Sequence, residues 1–125
     1  MQTESIGTAT LETWTPDEVA TAFAAHDIVL IDVRTIQEYA YEHIEGALLL
    51  PMAEFEGKHL PDQSGKRLVF YCGSGIRSAR MAKVAIEAGF DSIAHLGGGF
   101  AAWKVARHPY ITIDMPTGAP RKVAP

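Results

Sequence analysis

The only cysteine of the chain, Cys72, lies in a short loop whose composition could make a thiol reactive. The apolar run 68–71, which is typical of a buried β-strand, leads into this loop, and apolar residues at helical spacing follow it. The loop contains mostly small residues and then a cation: Gly73, Ser74, Gly75, Ile76 and Arg77. Backbone N–H groups at the start of a helix attract anions. The position of Cys72 therefore favours the thiolate and nucleophilic chemistry.

A lone cysteine after an apolar strand can also be a small hydrophobic core residue, because free cysteine is among the most buried residue types. The residues after Cys72 favour the reactive interpretation. None of residues 73–77 is proline, so five consecutive N–H groups can point toward the sulfur. We expect these donors, together with Arg77, to lower the pKa of the thiol and to bind a persulfide or a small dianion without a histidine base.

Four residues are candidates for supporting roles around this loop. Ser78 follows the loop and begins the predicted helix, Asp32 ends a predicted strand, and Arg34 and Glu38 come shortly after it. Asp32 and Arg34 are predicted to form a structural ion pair or cap. Arg77 is expected either to donate to a bound anion or to pair with a carboxylate. Both Asp32 and Glu38 remain open as that partner.

Composition narrows the possible functions. A chain of 125 residues with 47% hydrophobic residues is long enough for one domain with a real core. Its net charge of −4 provides no basic surface, so we expect neither nucleic acid nor a membrane as a partner. The N terminus lacks a basic segment followed by an apolar one, which predicts a cytoplasmic protein. A single cysteine excludes an internal disulfide, and the sequence makes no prediction of the oligomeric state.

No metal or cofactor site is predicted. His26, His59, His95 and His108 are scattered without ligand spacing, and His43 is interpreted as a structural hydrogen-bonding residue. The glycines at 73–75 and 97–99 complete neither a phosphate-binding loop nor a dinucleotide fingerprint. The second cluster instead predicts a tight turn between a strand and a helix that borders the site.

Apolar runs alternate with helical patterns along the middle of the chain. Buried strands are predicted at 28–31, 47–50, 68–71 and 93–96, and a short edge strand at 11–14. Helices are predicted over 16–25, from 35 to near 46, from 78 to 89, and after the glycines at 97–99. Thr15 and Thr35 are each followed three residues later by a glutamate, a capping-box spacing that marks the first two helix starts.

This alternation predicts an α/β domain with a mostly parallel central sheet and helices on both faces. Ligands of such sheets bind beyond the carboxyl ends of the strands, where Cys72 falls. We place the domain at residues 11–110, a frayed N terminus at 1–10, and an extended C-terminal tail at 111–125.

The residues of the cysteine loop also carry a resemblance to a known family. Residues 72–78 resemble the C-x-x-G-x-R-S active-site loop of single-domain rhodanese sulfurtransferases. An upstream motif (Asp32-Val33-Arg34, Glu38-Tyr39 and His43 to Ala47) and a downstream one (Leu96 to Phe100, and Trp103) are similar to motifs of the same family and occur in the same order. The resemblance covers about residues 14–110 and implies a rhodanese-like fold.

The resemblance implies that Cys72 takes a sulfane sulfur from thiosulfate or a persulfide and passes it to a thiol or to cyanide. Residues 73–77 would bind the persulfide. The expected partners are a small-molecule sulfur donor and a thiol acceptor, or a protein in either role. Because the loop has a single cation, we expect a persulfide or protein donor to be preferred over thiosulfate.

Two alternatives remain. Phosphatases and arsenate reductases of related architecture use a loop one residue longer, C-x5-R, whereas Arg77 follows Cys72 at C-x4-R spacing. The shorter loop favours one sulfur atom over a phosphoryl group. The other alternative is a persulfide carrier or binding module that docks on a partner without turnover.

Overall fold

The structure is a computed structural model that describes all 125 residues. The apolar runs form a six-stranded sheet with the order β1-β2-β6-β5-β3-β4. Its strands are β1 (Gln2–Ile6), β2 (Ala9–Trp14), β3 (Ile28–Asp32), β4 (Leu48–Leu49), β5 (Arg67–Tyr71) and β6 (Ser92–Leu96). All neighbours pair in parallel except β1 and β2. The predicted mostly parallel α/β sheet is confirmed.

Four α-helices connect the strands: α1 (Pro16–Ala24), α2 (Ile36–Tyr41), α3 (Ile76–Glu87) and α4 (Gly99–Val105). Short 3-10 turns at Met52–Glu54 and Gly57–His59 follow β4. Thr15 and Thr35 form the predicted capping boxes at the starts of α1 and α2, because each side chain accepts from the backbone N–H of the glutamate three residues on.

Helix α2 ends at Tyr41, earlier than the prediction of an end near residue 46. The residues after it are bound by other parts of the chain. His43 exchanges two backbone hydrogen bonds with Ile111, at 3.0 and 2.8 Å, and Arg34 donates to the carbonyl oxygen of Glu42. These partners satisfy backbone groups that a longer helix would have used.

The sheet has an apolar core on each face. On one face Val19 of α1 and Trp103 of α4 pack on Leu30 and Val69. On the other face Met81, Ala82 and Ala85 of α3 cover a core that includes Leu68, Phe70, Ile93 and Cys72. Strand β5 lies between two parallel neighbours with its residues 68–71 fully buried, so its carboxyl end is rigidly placed.

The N terminus differs from the prediction of a frayed segment. Strand β1 pairs antiparallel with β2 over five residue pairs, and Gly7 makes the turn with a φ of 61°. The outer strand is exposed on both faces, so it has no apolar alternation that sequence inspection could detect. As a result, residues 11–14 lie in the second strand of the sheet rather than at its edge.

The C terminus also differs from the predicted extended tail. Strands β7 (Tyr110–Ile113) and β8 (Pro120–Val123) form an antiparallel hairpin. In its turn, the Asp114 N–H donates to the carbonyl oxygen of Ala119, and the Gly118 N–H donates to that of Asp114. Gly118 has a φ of 73°. The hairpin is joined to the body of the domain through the His43–Ile111 bridge.

None of the four helices combines the length and the apolar character that crossing a membrane requires.

Candidate active site

Cys72 follows the last residue of β5, and helix α3 begins four residues later at Ile76. The predicted start at Ser78 is therefore two residues late, and Arg77 belongs to the first turn of the helix instead of ending the loop. The reason is the N-cap residue, Gly75, which has a φ of 101°. Glycine adopts this conformation readily because it has no side chain, and the chain turns sharply there. This early turn brings the N–H of Ser78, the third residue of the helix, back over the sulfur.

The sulfur of Cys72 is held by hydrogen-bond donors from the loop and the helix. The backbone N–H groups of Gly75 and Ser78 lie 3.1 and 3.3 Å from Sγ, and the Ser78 hydroxyl lies 3.5 Å away. Burial raises the pKa of the thiol, but these hydrogen bonds and one from the Ser74 backbone outweigh it, so the pKa lies below its usual value. Within the predicted stretch 73–77, the backbone N–H groups of Ser74 and Gly75 donate to the sulfur, whereas those of Gly73, Ile76 and Arg77 do not. Ser78 contributes from outside that stretch.

The loop is fixed by the start of α4, which packs against its backbone. The N–H groups of Phe100 and Ala101 donate to the carbonyl oxygens of Cys72 and Gly73, at 2.7 and 3.0 Å. Gly99 permits this approach, because a Cβ there would lie 2.5 Å from the Cys72 carbonyl oxygen. The glycines at 97–99 therefore form the predicted tight turn beside the site.

Arg77 pairs with Glu38, which settles the choice that the sequence left open. Its two terminal nitrogens donate to the two carboxylate oxygens at 2.8 and 3.0 Å. The guanidinium lowers the pKa of Glu38 to about 2. Glu38 also accepts from the N–H of Thr35 in the capping box, so one carboxylate ties α2 to the first turn of α3. The charge of Arg77 is thereby neutralised beside the loop.

Asp32 and Arg34 form the predicted internal ion pair and do not contact the sulfur. Arg34 Nη2 lies 2.8 Å from Asp32, and the side chains are 6% and 0% exposed. Arg34 also packs over the ring of Phe100 at 4.7 Å. Breaking such a buried pair costs about 3–5 kcal/mol, because one charge is left unpaired. This pair stabilises the carboxyl end of β3 next to the cysteine loop.

Two shallow pockets flank the loop. One, of about 280 Å³, is lined by Arg77 together with Ile36 and Met52, and the other, of about 290 Å³, by Gly73 with Phe100 and Lys104. Ile76 is 78% exposed at the tip of the loop. Cys72 itself is buried, so a reactant must approach through this loop surface.

One neighbour of the site was not predicted from the sequence. His95 is buried, and its Nδ1 lies 2.9 Å from the Ser78 hydroxyl. In the sequence it was one of four scattered histidines, and only the pairing of β6 with its neighbours brings it to Ser78. His43, by contrast, has the predicted structural role: it stacks on Tyr39 and binds the Tyr39 carbonyl oxygen at 2.7 Å.

No three histidine, cysteine, aspartate or glutamate side chains lie close enough together to hold a metal ion.

Comparison with known proteins identifies the family. The family model described as "Rhodanese-like domain" matches residues 15–106, most of the chain. The chain belongs to the rhodanese-like domain family. It is 41% identical over 83 residues to the thiosulfate sulfurtransferase GlpE of Coxiella burnetii, a match that covers 66% of this chain and 77% of that protein.

The chain is also similar to one further curated protein and to a solved structure. The chain is 38% identical over 97 residues to the uncharacterized protein slr1261 of Synechocystis, covering 77% of this chain but 54% of that protein. It therefore spans about half the length of this relative. The solution structure of the rhodanese-like domain of Anabaena Alr3790 superposes with a TM-score of 0.73 at 23% identity and covers 86% of each chain, which confirms the rhodanese-like fold.

The donors around Cys72 lead to a prediction for Ser78. In Ser78→Ala the backbone N–H groups remain but the hydroxyl is lost, so the pKa of Cys72 should rise by roughly one unit, the size expected for one hydrogen bond to a charged group. The measurement is the pH dependence of Cys72 alkylation by iodoacetamide. Ser74→Ala is the matched control, because the Ser74 side chain is exposed and its backbone donor is retained. An unchanged midpoint in Ser78→Ala would contradict this description of the site.

Proposed function

We propose that this rhodanese-like domain is a sulfurtransferase in which Cys72 accepts a sulfane sulfur and passes it to a thiol or to cyanide. The observation that carries the proposal is the set of donors from Gly75 and Ser78 around the Cys72 sulfur. Donors fixed in this way stabilise a negative sulfur without having to reorganise during the reaction. The relationship to a thiosulfate sulfurtransferase supports the same chemistry.

The proposed reaction has two steps. In the first, the Cys72 thiolate attacks the outer sulfur of the donor, the donor's sulfur–sulfur bond breaks, and sulfite or a thiolate leaves with the electron pair. Cys72 then carries a persulfide. In the second, cyanide or an acceptor thiolate attacks the outer sulfur, the persulfide bond breaks, and the Cys72 thiolate is restored. The thiolate and the persulfide anion of Cys72 carry the same negative charge, so the same N–H groups and the start of α3 stabilise each of them.

Arg77 is the reason to prefer sulfur transfer over phosphoryl or arsenate chemistry. A phosphoryl group carries charge on three oxygens and is stabilised by cations that bind those oxygens directly. Here both terminal nitrogens of Arg77 are held by Glu38, and the spacing from Cys72 is C-x4-R. The loop therefore offers backbone donors sized for a sulfur and no free guanidinium for a tetrahedral oxyanion.

The variant Cys72→Ser tests the proposal. It should lose the transfer of sulfur from thiosulfate to cyanide, measured as thiocyanate formation, because a serine hydroxyl neither ionises at neutral pH nor carries a persulfide sulfur. Ser5→Ala, an exposed change on β1, serves as the control and should retain activity. Wild-type activity in Cys72→Ser would overturn the assignment. A wild-type protein that takes up one sulfur but gives no steady turnover with cyanide or small thiols would be a persulfide carrier instead of an enzyme.

The charges around the loop favour a thiol persulfide over thiosulfate as the donor. Arg77, Arg34 and Lys104 line the flanking pockets, and each is paired with a carboxylate within 2.8 Å. A dianion such as thiosulfate gains little from cations that are already neutralised.

We therefore expect kcat/KM to be higher for glutathione persulfide than for thiosulfate. Glu38→Gln leaves Arg77 without its counter-charge, so it should raise kcat/KM for thiosulfate relative to that for the persulfide. The two donors are compared in both proteins under the same conditions. A clear preference of the wild type for thiosulfate would contradict this interpretation of the charges.

A further inference from the structure

A chain of polar side chains leads away from the Cys72 sulfur along the sheet face that α3 covers. The Ser78 hydroxyl lies 3.5 Å from Sγ and 2.9 Å from His95 Nδ1. On the far side of the imidazole, Nε2 lies 3.1 Å from the Thr13 hydroxyl. We propose that His95, held by Thr13, is a positioning residue that directs the Ser78 hydroxyl onto the Cys72 sulfur. This inference rests on the proposed nucleophilic role of Cys72.

The positions of His95 and Thr13 are ones that an apolar residue would ordinarily fill. Two residues earlier on the same strands, and hence on the same sheet face, Ile93 and Leu11 pack in the α3 core. His95 is 6% exposed and Ser78 is fully buried. Burying a polar group costs free energy unless it forms hydrogen bonds. Here Thr13, His95 and Ser78 form a series of hydrogen bonds that ends at the Cys72 sulfur.

The strands fix the geometry of this chain. Thr13 lies directly opposite His95 in the parallel pair β2–β6. Just beyond Thr13 and His95 in the chain, the Gly97 N–H donates to the Trp14 carbonyl oxygen at 2.8 Å and holds the strand ends together. On the other side, Ser78 is held in the first turns of α3, next to the loop. The imidazole is therefore clamped between two hydroxyls that cannot easily move away from it.

The imidazole acts in its neutral form. Burial lowers the pKa of His95, so at neutral pH one ring nitrogen carries a proton and the other is an acceptor. When Cys72 is a thiolate, the Ser78 O–H donates to the sulfur, His95 Nδ1–H donates to the Ser78 oxygen, and the Thr13 O–H donates to Nε2. All three donors then point toward the negative charge, and each strengthens the next.

Ser78 has other acceptors, which is why its direction matters. Its oxygen lies 3.3 Å from the Gly75 carbonyl oxygen, an alternative acceptor for the hydroxyl proton. An unprotonated Nδ1 at 2.9 Å would be another. With the proton on Nδ1, the imidazole cannot take the hydroxyl proton and instead polarises the hydroxyl toward the sulfur.

The charged groups nearby do not supply this effect. Toward His95, β5 presents Phe70, β2 presents Thr13 and α3 presents Ser78, all uncharged. Beside Cys72, Arg77 of α3 is paired with Glu38 of α2, and Arg34 is paired with Asp32 at the end of β3. The histidine therefore works through the Ser78 hydroxyl and not as a cation paired with the thiolate.

The test is a double-mutant cycle read out by Cys72 alkylation, which requires no sulfur transfer. In His95→Leu, the midpoint of the pH profile should rise by about half a unit, so that the thiolate fraction below the midpoint falls about threefold. Thr13→Val should also raise the midpoint of the pH profile, but by a smaller amount than His95→Leu. His95→Asn should restore most of the wild-type midpoint, because its amide N–H can replace the Nδ1 donor.

The double variant Ser78→Ala/His95→Leu shows whether His95 acts on the sulfur through the Ser78 hydroxyl. If His95 acts through the hydroxyl, the double variant shows no further shift beyond that of Ser78→Ala. An unchanged midpoint in a folded His95→Leu protein, or an equal shift in both backgrounds, overturns the proposal. If His95→Leu does not fold, the comparison of Thr13→Val with wild type replaces it, and an unchanged midpoint there overturns the proposal. Because alkylation is independent of turnover, failure of sulfur transfer leaves this readout intact.

Discussion

The proposed chemistry depends on a sulfur atom that is buried in the protein and surrounded by hydrogen-bond donors. Cys72 is buried at the end of a central strand, where an unpaired anion would carry a large desolvation cost. The donors from Gly75 and Ser78 offset that cost, and they are available because a glycine at positive φ turns the chain directly into α3. The start of α4 then holds the loop by its carbonyl oxygens, which leaves the N–H groups free to face the sulfur.

The charged residues beside the cysteine loop pair with one another. Arg34 and Asp32 pair under the loop, and Arg77 and Glu38 pair beside it. Because the pKa of Glu38 is lowered to about 2, its contribution to stability is fully present above the usual carboxylate pKa and is lost only as the pH falls toward 2. Glu38 and Arg77 therefore stay ionised and paired at neutral pH. In the proposed reaction, a negative charge on the Cys72 sulfur is stabilised by backbone N–H groups and the Ser78 hydroxyl, because Arg77 is already paired.

The elements that could be predicted from the sequence are those whose conformation depends on interactions between residues close together in the chain. The capping boxes at Thr15 and Thr35, the buried strand 68–71 and the glycine-containing loop after Cys72 each depend on neighbours within a few residues. The hairpins at both termini were missed because β1 and β8 are exposed and carry no apolar alternation. The partner of Arg77 and the position of His95 depend on which elements lie side by side, and a single sequence does not contain that information.

The role of Cys72 is tested most directly by the mass of the intact protein after incubation with thiosulfate or glutathione persulfide. The wild-type protein should gain one sulfur atom, located on the peptide that contains Cys72 and removed by cyanide, and the Cys72→Ser protein should gain none. A wild-type protein that gains no sulfur from either donor, or a Cys72→Ser protein that gains the same mass, would contradict this role.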